Sequence, residues 1–202
     1  MTSNTSILDM LQQHLGPDTI ANISQQLGAS PADVSSGIAA ALPVLLSGLH
    51  RNASDPQGAA ALDSALNAHD GSILDNLGSL LGGGATGGIG AAILAHILGK
   101  RQAPVEEGVS RASGLSAQQV SQLLMMLAPI VMGVLGRMRQ QKGLSPAQLP
   151  EVLGQSKAQM EAQNPALGGL ASVLDSNHDG QIADDVMRIG SSMLGGLFGK
   201  RP

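Results

Sequence analysis

The stretch SAQQVSQLLMMLAPIVMGVLGRMR, Ser116 to Arg139, decides how this 202-residue chain is read. A second stretch, SPADVSSGIAAALPVLLSGLHR from Ser30 to Arg51, lies 86 positions earlier and aligns with it without a gap. In that register Val34 falls on Val120, Ser35 on Ser121, Pro43 on Pro129, Leu49 on Leu135 and Arg51 on Arg137. Gly28 and Gly114 precede the two opening serines by the same step. A proline held in register inside two apolar runs points to internal duplication, and repeats have to be settled before fold class is argued.

Each copy reads as a helix. Ser116 and Ser30 are good N-caps, because a serine hydroxyl can accept from a free amide of the first turn. Pro31 follows Ser30 at the first helical position, where its missing N–H costs little. From Leu123 to Leu135 the later copy is apolar almost without a break. A helix apolar on every side is enclosed by protein or by lipid. This run is shorter than the roughly 20 residues a membrane span needs, so a central core helix is expected. Pro43 and Pro129 each remove a backbone donor and are expected to kink their helices. The Met cluster reads as adaptable core filling.

Composition supports an all-α class. Hydrophobic residues make up 43% of the chain, yet Phe198 is the single aromatic, so the core must be aliphatic. The 27 glycines exceed the ordinary share of about 7% and imply close helix packing, loops, or both. A net charge of −4 lacks the basic footprint of a general nucleic-acid binder. With no cysteine there is neither a disulfide framework nor thiolate chemistry, which fits a cytoplasmic protein. Met1 to Leu11 shows no basic segment followed by an apolar one, so no signal peptide is read there.

Along the chain, Ser6 to Leu15 and Asp18 to Leu27 read as short helices, the second ended by Gly28. Thr19 to Ala41 therefore outlines a helix-turn-helix. Its second helix offers Ser30, Asp33, Ser35 and Ser36 but no cation before Arg51, and phosphate contacts carry much of the affinity in such readers. A plain helical hairpin is the expectation, with a nucleic-acid module as the alternative. Asp55-Pro56 opens a helix to about Leu66, and Ser72 to Leu81 reads as another. Gly82 to Gly90 reads as a glycine-rich loop, followed by a packed helix to Leu98 that contains His96. No formal charge lies between Asn76 and Lys100, so Gly78 to Leu98 offers a peripheral-membrane alternative. Lys100-Arg101 and Lys200-Arg201 each follow a glycine, a second trace of doubling. Val105 to Ser113 reads as a helix, and Ser145-Pro146 opens one running through the 150s. Two related halves, 1–102 and 103–202, are expected, forming one pseudo-symmetric domain if each completes the other's core.

One stretch carries chemistry. Asp175-Ser-Asn-His-Asp-Gly-Gln-Ile-Ala-Asp-Asp185 opens like an EF-hand loop. Asp175, Asn177 and Asp179 supply oxygens at alternate positions, Gly180 stands at the sharp turn, and Gln181 can offer its backbone carbonyl. The bidentate Glu expected at the twelfth position is Val186, leaving Asp184 or Asp185 to close a shortened loop. These residues admit a weak Ca²⁺ site. They equally admit a metal-free turn, with Asp184 and Asp185 in the first turn of the following helix. The first-half counterpart, Leu66, Ala68, Asp70, Gly71, Ile73 and Asp75, keeps the turn without the early ligands. No nucleophile with a local base, no phosphate loop and no HExxH is present, so catalysis is not expected.

Gly90 to Arg101 with His96-Ile97-Leu98-Gly99, then Ser113-Gly114-Leu115, then Leu123-Leu124-Met125-Met126-Leu127-Ala128-Pro129, resembles the bacterial family called domain of unknown function 937. The acidic loop and the Gly-Leu-rich tail are similar to that family too. The resemblance implies a small helical arrangement, compared loosely with YidB-like proteins, and carries no activity or site residues. The function expected is a non-enzymatic interaction or self-assembly protein with Ca²⁺ at the acidic loop. The uncharged apolar stretch Ile189 to Phe198 motivates self-association.

Overall fold

Ser116 closes a capping box. Its Oγ accepts from the Gln119 N–H at 3.3 Å, and Gln119 Oε1 accepts from the Ser116 N–H at 2.9 Å. The helix this starts is the longest of the computed structural model, which describes residues 6–68, 72–75 and 86–163. In chain order the helices are α1 (Ile7–His14), α2 (Pro17–Leu27), α3 (Pro31–Ser54), α4 (Pro56–Ala68), α5 (Ser72–Asp75), α6 (Thr86–Leu98), α7 (Gln102–Ser113), α8 (Ala117–Lys142) and α9 (Leu149–Gln163). Single 3-10 turns, Gly99–Arg101 and Pro146–Gln148, lead into α7 and α9. No strand occurs among the described residues. The fold is all-helical.

The two long helices begin and run alike. Ser30 Oγ accepts from the Asp33 N–H at 3.1 Å, as Ser116 does from Gln119. Pro43 stands twelve residues after Pro31, and Pro129 twelve after Ala117. The helix before each ends on a left-handed glycine, Gly28 at φ 60° and Gly114 at φ 78°, a conformation in which any side chain is strained.

Burial makes these helices the core. Every residue of α8 from Met126 to Gly136 is buried. On α3, Val34, Ala41, Leu45, Leu46 and Leu49 are each at most 1% exposed. A fully buried Leu or Val contributes about 1.5–3 kcal/mol. By length and composition both helices could cross a bilayer, which the apolar run of α8 taken alone does not suggest. In the protein 61% of the apolar window of α3 and 78% of that of α8 are covered by neighbouring helices.

The packing is reciprocal. Each of α2 and α7 lies against the long helix that follows it, and each also lies against the other long helix: α7 on α3, α2 on α8. Gln119 Nε2 donates to the Leu27 carbonyl at 3.0 Å, and Asp33 Oδ1 stands 3.8 Å from where a side chain on Gly114 would begin. Thus the third residue of each long helix meets the C-terminus of the short helix belonging to the other. Gly37 admits this approach, since a Cβ there would stand 2.7 Å from Leu123 Cδ2 and 2.8 Å from Leu115 Cδ1.

The glycine-rich segment departs from expectation. Helix α6 starts at Thr86, inside the stretch read as a loop, and packs along α8. Gly90 explains why. A Cβ there would lie 2.1 Å from the Met125 carbonyl oxygen, so only glycine lets α6 settle on α8. Helix α7 likewise begins at Gln102, ahead of Val105. The chain divides by its contacts into Met1–Gln159 and Met160–Pro202. Of the second part, residues 160–163 are described, as the last turn of α9.

Candidate functional site

Asp175, Asn177, Asp179, Gln181, Asp184 and Asp185 all lie outside the described residues, as do Ile189 to Phe198. Of the first-half counterpart, Asp70 and Gly71 also lie outside. Leu66 is buried, and Asp75 accepts from Arg137 Nη2 at 2.6 Å. That carboxylate is committed to a cation of α8. Among the described residues no three His, Asp or Glu side chains stand together as a metal site.

Among the described residues, two arginines of α8 make polar ties to other helices. Arg139 Nη1 donates to Asn67 Oδ1 at 2.7 Å. Arg139 Nε approaches Asp63 Oδ1 to 2.6 Å, with both side chains about four-fifths buried. That approach is off the N–H direction, so it is an electrostatic contact without an aligned hydrogen bond. Arg139 thus binds α4 to the end of α8, and Arg137 binds α5. Sequence reasoning missed both. The available signal was that two arginines flank Met138, which is 1% exposed, but partners 62 and 72 residues away are set by the tertiary fold.

His14, in the last turn of α1, stands near the same arginine. Burial lowers its pKa below the ordinary histidine value, Arg137 pushes the same way, and Asp75 opposes them. Asp9 is held below the usual carboxylate range by the Ser6 N–H and hydroxyl in the α1 capping box.

The helix-turn-helix outline exists as α2, Gly28 and α3, but α3 lies against α2, α4, α6, α7 and α8. Its N-terminal half offers Ser35, Ser36 and Ala39 to solvent.

A cavity of about 280 Å³ lies among α3, α4, α6 and α8. Leu49 and Met132 come from the two long helices, Ala61 and Ala65 from α4, and Ala92 and Ile97 from α6. Asn52 and His96 are the polar residues of the lining, and Asn52 Nδ2 donates to the His96 carbonyl at 2.8 Å. The His96 side chain is exposed. The pair spans 44 residues, and no sequence pattern links the two. Ile89, 45% exposed, stands one turn before the lining residues Ala92 and Ile93, and Gly88, Ala91 and Ala95 are exposed on the side of α6 turned from the cavity.

Searches of curated proteins and of solved structures returned no match. The profile of one family, bacterial proteins of unknown function (DUF937), matches residues 9–138, the span that runs from α1 through both proline-bearing helices. The chain belongs to that family.

Proposed function

We propose that this chain is a doubled helical module that works by association rather than by catalysis, with Ca²⁺ as the ligand of its later acidic loop. The observation that carries the reading is α6, which bears no Asp, Glu, Lys or Arg and turns Gly88, Ala91 and Ala95 outward. Exposed apolar residues scattered singly need no explanation, whereas a contiguous uncharged face marks an interaction surface. In the sequence no formal charge lies between Asn76 and Lys100.

Doubling is supported by the reciprocal packing of α2 and α7, by the matched prolines, and by the register itself. A shift of 86 also carries Ile7, Leu8 and Leu11 of α1 onto Ile93, Leu94 and Ile97 of α6. The second copy then begins near residue 93 rather than at 103. This pairing gives α6 an internal reference. Asp9, exposed on α1, stands where exposed Ala95 stands on α6. The fold accepts a polar outward face at this place, so the apolar one calls for a partner, and a second copy of the chain is proposed.

Light scattering tests association. The wild-type chain should exceed monomer mass, and Ile89→Glu, like a chain ending at Asp185, should reduce it. A monomer in every case overturns the reading. Calorimetric titration with Ca²⁺ tests the loop, with Asp175→Ala and Asp179→Ala as controls, and flat traces throughout would remove the ion.

A further inference from the structure

From the cavity among α3, α4, α6 and α8 we infer a binding site for a small neutral molecule, apolar over most of its surface and carrying one N–H or O–H donor. The volume sets the size. An engineered cavity of about 150 Å³ holds benzene, so about 280 Å³ suits a two-ring molecule. The lining sets the polarity. No charged side chain contributes to it, and a charged ligand would lose its hydration without a partner. At one end Asn52 uses Nδ2 on the His96 carbonyl and keeps Oδ1 as an acceptor, while the exposed imidazole of His96 stands on the same rim. Apolar walls with a few placed polar groups are the usual build of small-molecule sites.

The other half of the molecule shows how the fold fills this place when nothing is bound there. In the 86-residue register His96 corresponds to Met10, and Asn52 to Met138. Helix α1 packs on α8 as α6 packs on α3. Met10 is 5% exposed and Met138 1%, so two flexible side chains occupy the equivalent region. Where one copy has that filler, the other has two hydrogen-bonding residues and open space. Stability alone favours the methionines. The comparison rests on the duplication proposed above, but the cavity does not.

Indole is a suitable probe, being a two-ring molecule with one donor. With no Trp or Tyr in the chain, its emission is read against a dark protein. Titrated with the full chain, indole should show a saturable blue shift at one equivalent. Asn52→Met with His96→Met should weaken binding at least tenfold, and so should Ala65→Leu, which fills the cavity from α4. Circular dichroism checks that each variant is folded, and Ala65→Leu decides the matter alone if the double variant is not. Ala91→Glu, exposed on the side of α6 turned from the cavity, should leave the affinity unchanged. A shift that never saturates in the wild type, or equal affinity in the folded variants, overturns the site.

Discussion

Pro43 and Pro129 stand at the same depth in α3 and α8, yet the carbonyls they release meet different surroundings. A proline removes the donor that would pair with the carbonyl four residues earlier. For Pro43 that carbonyl belongs to Ala39, on the exposed side of α3, where water can pair it. For Pro129 it belongs to Met125, and Gly90 of α6 sits upon it. A Cβ on Gly90 would lie 2.1 Å from the oxygen, so its Cα is within about 3.6 Å, the range of a weak Cα–H···O bond. A glycine also covers a free carbonyl at the start of α4. There the Asn52 carbonyl is left without an intrahelical donor because α3 ends at Ser54, and a Cβ on Gly58 would lie 1.9 Å from that oxygen. The two copies share the proline, and they differ in what covers the acceptor it leaves behind.

The sharpest way to break this contrast is Gly90→Ala. Within an exposed helix the change gains up to about 1 kcal/mol. At Gly90 the new methyl meets backbone that cannot rotate away, and a loss of at least about 3 kcal/mol is expected. Gly88→Ala, two residues earlier and with nothing within 4 Å, should instead be neutral or stabilising. Urea unfolding midpoints of the two variants separate these outcomes. Equal midpoints would mean that α6 does not bear on the Met125 carbonyl.

A second asymmetry lies near the ends of the long helices. Ala53, 2% exposed, takes the place in α3 that Arg139 takes in α8. The α3 end needs no charge, whereas the α8 end uses Arg139 to hold Asp63 and Asn67 of α4. Arg139→Ala leaves Asp63 mostly buried without its cation. Breaking a fully buried pair costs about 3–5 kcal/mol. With about a fifth of each side chain in water, about 2 kcal/mol is expected, read from the urea midpoint. Asp63→Ala together with Arg139→Ala should recover part of it, and a double variant as unstable as the sum of the singles would remove the coupling.

The helices were legible because their signals are local. Ser30, Ser116, Gly28 and Gly114 act on amides and carbonyls within one turn, and they stand where the caps form. Gly82 to Gly90 misled for the opposite reason. Glycine is a poor helix former in isolation, and what makes it suitable at Gly90 is a carbonyl 35 residues away that α8 cannot pair itself. The cavity was illegible on the same ground, since Asn52 and His96 meet only when α3 and α6 do. Asp175 to Asp185 stands out in the chain as a run of oxygen donors. Whether such donors converge on a cation depends on backbone geometry outside the described residues.

The smallest expected effect concerns the turns that precede α2 and α7. His14 ends α1, and the register places Lys100 opposite it, exposed just beyond α6. One cationic position is in water. The other is partly withdrawn beside Arg137, and its pKa is lowered, by burial first and by Arg137 second. The sign follows from linkage. An unfolded histidine takes up its proton near about pH 6.5, and folded His14 takes it up only at lower pH. Between those values the unfolded chain binds more protons, so stability falls as the pH is lowered from about 6.5 and levels off once folded His14 is also protonated. Above that window His14 contributes nothing to the slope. His14→Gln should therefore flatten this part of a stability profile measured from pH 8 down to 5 and leave the plateau above pH 7 nearly unchanged. An identical slope in the variant would assign the acid sensitivity to other groups and leave α1 and the end of α6 alike in this respect.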